Sequence, residues 1–343
     1  MRPFTLFAAT GDAVARLDWQ GIDAGATGTT LMLEGSGAQS VAVDPHDPDR
    51  VFAGTFDHGV FRSGDGGASW GQVNGNVPHP RVPAVTISPY ERVNGRSVVY
   101  IGTEPSNLYR SEDDGKSWQG FPAMLDVPSQ PDWSFPPRPW TSHVRWIAPH
   151  PTDPSTIDVG IELGGIMRTR DGGQTWADRK PGSQPDAHAL ATHPAAPDRL
   201  YEAAGGGVAV SNDAGGSWHP TDDGMDRHYA WGLAVDSADP DLWYVSAASG
   251  PRRAHSSDGT SNAILYRKRG PSPWEPLGTP NGTMLRQPHP STPYALIAPR
   301  DSPNSLIAGL HNGDLLVTDN AGDTWLAVRT GLTRLLALSE ATI

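Results

Sequence analysis

The chain contains no cysteine, which excludes disulfides and thiolate chemistry. Lysine is almost missing too: Lys116, Lys180 and Lys268 are the only three in 343 residues, and no basic run offsets a formal charge of -12. Such a surface repels a phosphate backbone and gains nothing from counterion release, so nucleic acid is not an expected partner. No stretch approaches the roughly 18 to 20 consecutive apolar residues of a membrane-crossing helix, and no membrane partner is expected. The apolar opening Phe4 to Thr10 meets Gly11-Asp12 before reaching the length of a secretory core, so a cytoplasmic location is expected. Charged residues are sparse at 19%, while 39 glycines, 33 prolines and 12 tryptophans are scattered along the chain. That composition suits many short strands joined by tight turns and disfavours long helices.

One pattern repeats. Ser63-Gly64-Asp65-Gly66-Gly67-Ala68-Ser69-Trp70 returns as Ser111 to Trp118, Thr169 to Trp176, Ser211 to Trp218 and, with Asn320 replacing the acid, Thr318 to Trp325. Its chemistry is that of a hairpin tip. The Asp carboxylate accepts turn amides, Gly supplies positive φ, and Trp opens the following strand as an apolar wedge. These aspartates are therefore expected to be structural. The pattern resembles the Asp-box, or BNR, repeat of sialidases, xyloglucanases, sortilin and photosystem II assembly factors. The resemblance implies a β-propeller with the boxes on the face opposite the active site.

A strand grammar surrounds each box. First strands are expected at residues 40–43, 84–88, 143–148, 188–192, 230–235 and 294–298, and second strands at 51–55, 97–103, 157–162, 200–204, 242–247 and 305–310. The blade near Ile264 to Arg269 has lost its box but keeps Trp274. The N-terminus supplies strands at 4–9, 13–19 and 30–34 without a first one, and a strand near 334–340 is left over to complete that blade. The expectation is an all-β, seven-bladed β-propeller, residues 1–343 forming one domain, with the ring closed by its two ends and no exposed sheet edge.

In a propeller the first strand of each blade is innermost, which sorts side chains between two faces. His46, His150 and His193 fall in turns on the box face, whereas His58, His79, His143, His188, His228, His255, His289 and His311 fall on the opposite mouth. His143 and His188 each lie six residues before a turn proline, Pro149 and Pro194, and are expected in equivalent positions on neighbouring strands. Two residues beyond the second-strand glycines come Phe56, Glu104, Glu162 and His311, with Asp57 and His58 on the same rim. Arg145 occupies a register that is apolar in other blades, at Val41, Val85, Leu190, Leu233 and Ala295. Such a cation needs a partner: either Glu162 or Asp158 of its own blade, or a substrate carboxylate.

Two insertions also belong to the mouth. Residues 122–142 carry Trp133, Phe135 and Trp140 among six prolines, too stiff for a tether, and form either a lid with a stacking platform or a packing loop over the adjacent blade. Residues 247–262 carry Arg252, Arg253 and His255, which either close over an anionic group or are solvated loop charge.

These positions support three functional expectations. The first is an enzyme cleaving a small polar or anionic molecule, saccharides included, by hydrolysis or elimination. Its catalytic candidates are His143, His188, Glu104, Glu162 and Asp57, and its substrate-binding candidates are Arg145, Trp140, Trp133, His58 and Arg252. His143, His188, His228 and His311 are candidate ligands for zinc, manganese or iron. The second is a glycosidase with paired carboxylates, since Thr55-Phe56-Asp57-His58-Gly59 loosely resembles an acid-bearing segment of xyloglucanases. The third is a scaffold that binds a protein partner, as photosystem assembly factors of this size do.

Overall fold

The computed structural model describes residues 3–21, 26–278 and 288–341. Seven antiparallel sheets follow one another along the chain. Blade 1 comprises Ala38–Asp44, Asp47–Thr55, Val60–Ser63 and Gly71–Gln72, and the same up-and-down order recurs in blade 2 from Arg81–Val93 to Gln119–Gly120. Blade 3 has three strands, Val144–Pro149, Ile157–Ile161 and Gly165–Thr169, and replaces the fourth with the single bridge Arg168 to Ala177. Blades 4, 5 and 6 begin at Ala187–His193, Tyr229–Val235 and Pro293–Ile297. Blade 7 closes the ring: Ala337–Ala341 pairs with Phe4–Ala9, which continues into Val14–Trp19 and Ala26–Met32. The first strand of each blade stands at the inner edge of its sheet, against the first strands of the neighbouring blades.

Each Asp box folds by the same short-range bonds. In the first, Ser69 donates to Asp65 from both its backbone amide (Oδ1, 2.8 Å) and its hydroxyl (Oδ2, 2.5 Å), and Ser63 donates to Oδ1 at 2.7 Å. The Ser63 hydroxyl oxygen in turn accepts the amide of Gly67, whose φ is +91°. These bonds, led by the Ser69 hydroxyl, hold the Asp65 carboxyl down at about 2. Asp113, Asp171 and Asp213 repeat the arrangement, and Asn320 reproduces it without charge. The box aspartates are committed to turn amides and hydroxyls, as their spacing predicts. Box glycines also donate to the turn between first and second strands, Gly66 to the Asp49 carbonyl and Gly172 to that of Ser155, at 2.9 Å each. The boxes and those turns therefore share one face, and the starts of the first strands open onto the other.

Apolar packing lies between blades. Trp118 is 3% exposed, packs with Phe52, Val85 and Tyr109 across blades 1 and 2, and donates its indole N–H to the Val73 carbonyl at 2.9 Å. In blade 5, where the box is gone, Trp274 still fills this position beside Trp243, ring centroids 4.5 Å apart. The small second-strand residues have a steric cause. A Cβ on Gly54 would stand 2.3 Å from the Val82 carbonyl of the next blade, and one on Gly102 would stand 2.3 Å from Val144.

Candidate active site at the mouth opposite the Asp boxes

The innermost strands of blades 1 to 6 all break register near the mouth. In blade 4 Ala187 pairs with Ala204 and Ala189 with Ala203, leaving His188 unpaired. By the same count Gln39, Arg145 and Tyr294 are unpaired, and in blades 2 and 5, where two residues stand against one, Pro83 and Trp231 are the bulge side chains that reach the cavity. A bulge re-aims its extra side chain, and all six residues line a central cavity of about 200 Å³.

This corrects two expectations from turn spacing. Arg145, not His143, is the counterpart of His188, and His143 is the counterpart of Asp186: Glu162 donates its amide to the His143 carbonyl just as Gly205 does to that of Asp186. Nor does Arg145 replace Val41 or Leu190, because Ile147 fills that apolar register. The cause is a difference in the turns. Pro149 is paired within its strand, opposite Ile157, whereas Pro194 lies beyond the end of Ala187–His193, so counting back from the prolines misaligns the two blades by two residues.

Around His188 the chemistry converges. Its ring is 1% exposed, and Nδ1 lies 2.6 Å from the Ala230 carbonyl, which only accepts, so Nδ1 carries the proton. Nε2 then faces Asp186 at 3.3 Å without forming a hydrogen bond. Ligand atoms of Glu162, Asp186 and His188 all lie within 4.8 Å of one another. His143 supports this group from outside, its Nε2 3.0 Å from Glu162 and its ring edge-on to Phe135 at 4.7 Å. Burial pushes the Glu162 carboxyl up, but the hydrogen bond and charge of His143, aided by Arg145, overcome this and hold it at about 2.

Arg145 forms no ion pair among the described residues. Glu162 is taken by His143, and Asp158 by two guanidinium nitrogens of Arg168, Nε at 2.8 Å and Nη2 at 2.6 Å. The Arg145 guanidinium instead lies 4.7 Å over Trp231, a contact worth about 0.5 to 2 kcal/mol. Trp231 is itself walled by His188, His255 and Tyr294. His255, from the second insertion, bonds to the hydroxyls of both Tyr229 and Tyr294. Burial, with the neighbouring Arg145 guanidinium, lowers its pKa to about 4, so it is neutral at pH 7.

The other candidates are placed elsewhere. Glu104 is gripped by Arg138 of the first insertion through two bonds, 2.5 and 2.6 Å, with Arg81 at 3.4 Å. Burial raises its pKa, but Arg138, His143 and Arg81 bring it below the ordinary value. Asp57 pairs with Arg81 on the open rim. Trp133 is not a mouth residue: it is 7% exposed, packs with Met124, Val144 and Ile161, and makes that part of residues 122–142 a packing loop. Trp140, 79% exposed, lies at the surface. Arg252 is exposed in the short helix Pro251–Ala254, and His58 bonds to the Ser36 carbonyl. His228 pairs with Asp222, and His311 stacks on Tyr294 and accepts a bond from Arg334. Of the four candidate metal histidines, only His188 is in the cluster with Glu162 and Asp186.

No protein-family model matches the chain. It is similar to the xyloglucanase Xgh74A of Acetivibrio thermocellus, 28% identical over 258 residues that cover 62% of this chain and 30% of that protein. A xyloglucanase of a Paenibacillus species is 27% identical over 286 residues, 70% of this chain and 26% of that one. The chain thus spans less than a third of the length of these relatives. Among solved structures, the GH74 xyloglucanase from Xanthomonas campestris aligns with a TM-score of 0.64 at 17% identity, over 85% of this chain and 45% of that one. YCF48 bound to a D1 peptide aligns with a TM-score of 0.59 at 14% identity, over 97% and 87%. At these identities the structural likeness is one of fold, and it agrees with the five boxes and seven closed blades. The chain is an Asp-box β-propeller.

The propeller's mouth joins one unpaired cation, an aromatic wall and a buried His/Glu/Asp cluster. Sequence reasoning missed Asp186 and Trp231. Counting from the small second-strand residues Gly54, Gly102, Gly160, Ala203, Ser246 and Gly309 finds both, because those residues set the ladder.

Proposed function

We propose that the propeller is an enzyme that takes a small anionic, saccharide-class substrate into the central cavity and cleaves it by hydrolysis or elimination. One observation carries the reading. Arg145, aimed into the cavity by a bulge, has no carboxylate partner among the described residues, while the adjacent His188, Glu162 and Asp186 offer a base and a proton-transfer network. Arg145 anchors the substrate's carboxylate, Tyr294 and Trp146 form apolar walls, and Glu162, kept ionised by His143, abstracts or accepts a proton. The similarity to xyloglucanases supports the saccharide class. Hydrolysis by a carboxylate pair is the second reading, since carboxylate oxygens of Glu162 and Asp186 lie within 4.8 Å of each other.

The test is to incubate the protein with uronate-containing and neutral oligosaccharides, recording new reducing ends and unsaturated products separately. The expected result is cleavage of the uronate set, weakened mainly through KM in Arg145→Met and through kcat in Glu162→Gln. Unsaturated products identify elimination. Failure to bind or cleave either set, or unchanged rates in both variants, overturns the reading.

A further inference from the structure

The geometry points to a divalent metal site built from His188 Nε2 and the carboxylates of Glu162 and Asp186, taking a manganese- or zinc-class ion and leaving positions open to the central cavity. This site stands on the geometry of the cluster, independently of the substrate proposed above.

The argument begins with hydrogen positions. Because Nδ1 of His188 donates to the Ala230 carbonyl, a neutral His188 turns the Nε2 lone pair towards Asp186 at 3.3 Å, with a Glu162 oxygen also in the group. Three sets of lone pairs then converge at a ring that is 1% exposed, and Nε2 has no hydrogen-bond partner. Such an arrangement repels itself unless a cation sits at its centre. A proton on Nε2 would satisfy one oxygen, yet the contact to Asp186 lacks hydrogen-bond geometry. A metal ion satisfies all three atoms together.

The surroundings match what ligands require. A ligating imidazole usually donates its other N–H to a carbonyl or carboxylate, and a ligating carboxylate is itself hydrogen-bonded. Ala230 serves His188 in this way, and His143 serves Glu162 at 3.0 Å. One imidazole and two carboxylates suit manganese or zinc better than copper, and the set of three leaves room for water or a substrate oxygen. His188 also lines the cavity, which gives the ion a route in.

The experiment is elemental analysis of protein purified without chelator, followed by calorimetric titration of EDTA-stripped protein with Mn²⁺ and with Zn²⁺. One ion per chain is expected. Asp186→Asn and His188→Gln should lose at least about 100-fold in affinity, and His143→Ala about 10- to 100-fold as an outer partner. His228→Ala, far from the cluster in hydrogen-bonding terms, should bind as wild type does. Thermal unfolding with and without each ion checks folding independently, and only chains with the intact cluster should gain stability from metal. The site is overturned if stripped wild-type protein takes up neither ion, or if Asp186→Asn and His188→Gln bind like wild type. Cleavage by protein that takes up neither ion sinks the metal alone, whereas stoichiometric metal without turnover sinks the substrate reading alone.

Discussion

Glu202 lies on the second strand of blade 4, is fully buried, and accepts only the Gln184 amide, at 3.0 and 3.1 Å from its two oxygens. No ion pair reaches it among the described residues, and burial pushes its pKa from 4.5 up to about 8. Below its ordinary value both folded and unfolded chains carry the proton, so the group has no effect on stability. As pH rises the unfolded chain ionises first, and stability falls until the folded carboxyl also ionises near 8. At 1.36 kcal/mol per pKa unit the deficit is about 1 kcal/mol at pH 5 and about 3 kcal/mol at pH 7. Glu202→Gln keeps an acceptor for Gln184 but does not titrate. Its advantage over wild type should therefore grow by about 2.5 kcal/mol between those pH values, or about 3 to 4 °C in Tm for a chain of this length. Calorimetric scans of both proteins across this range measure the difference directly, with all other titrating groups cancelling. A gap that stays constant from pH 5 to pH 8 would refute the reasoning.

Three further outcomes follow from described contacts. Trp118→Ala empties a position shared by two blades and removes a buried indole hydrogen bond; a loss of about 3 to 5 kcal/mol in chemical denaturation is expected. Arg138→Ala strands the Glu104 carboxylate with only Arg81, costing about 2 to 4 kcal/mol and raising the Glu104 pKa, which NMR titration of the carboxyl would follow. Asp171→Ala, on the box face, should lower Tm without altering any activity or ligand affinity at the mouth. Its contribution is present above the ordinary carboxylate pKa of 3.8 and is lost as pH falls through about 2, so the Tm difference from wild type should shrink in that acid range.

The ring was legible in the sequence because the Asp box encodes a local structure: its Ser or Thr, Asp and Gly residues bond to one another within eight positions, so this part of the pattern survives without reference to the rest of the chain. Closure was legible for a complementary reason, since three N-terminal strands without an inner one and a spare C-terminal strand fit only each other, and the observed Ala337–Ala341 begins three residues after the start of the expected span and ends one residue beyond it. The mouth was harder. Phe56, Glu104, Glu162 and His311 were found by counting from the second-strand glycines, which the neighbouring blade keeps small. His143 and Arg145 were misaligned by counting from turn prolines, which answer to turn length alone. Trp133 was misplaced because an aromatic, proline-rich segment has the same composition whether it covers a blade or a ligand. Asp186 carries no local signal, since its role arises only from proximity to His188 and Glu162.

The bulge residue on the inner strand of each of blades 1 to 6 gives the propeller a modular chemistry. Because a bulged side chain has no ladder partner of its own, exchanging it alters the cavity while leaving both flanking pairs intact. Gln39, Arg145, His188 and Tyr294 behave like interchangeable teeth on a wheel whose rim and spokes are fixed by other residues. New specificities can therefore be sought by varying those teeth in combination, with stability governed by the blades and selectivity by the set of teeth.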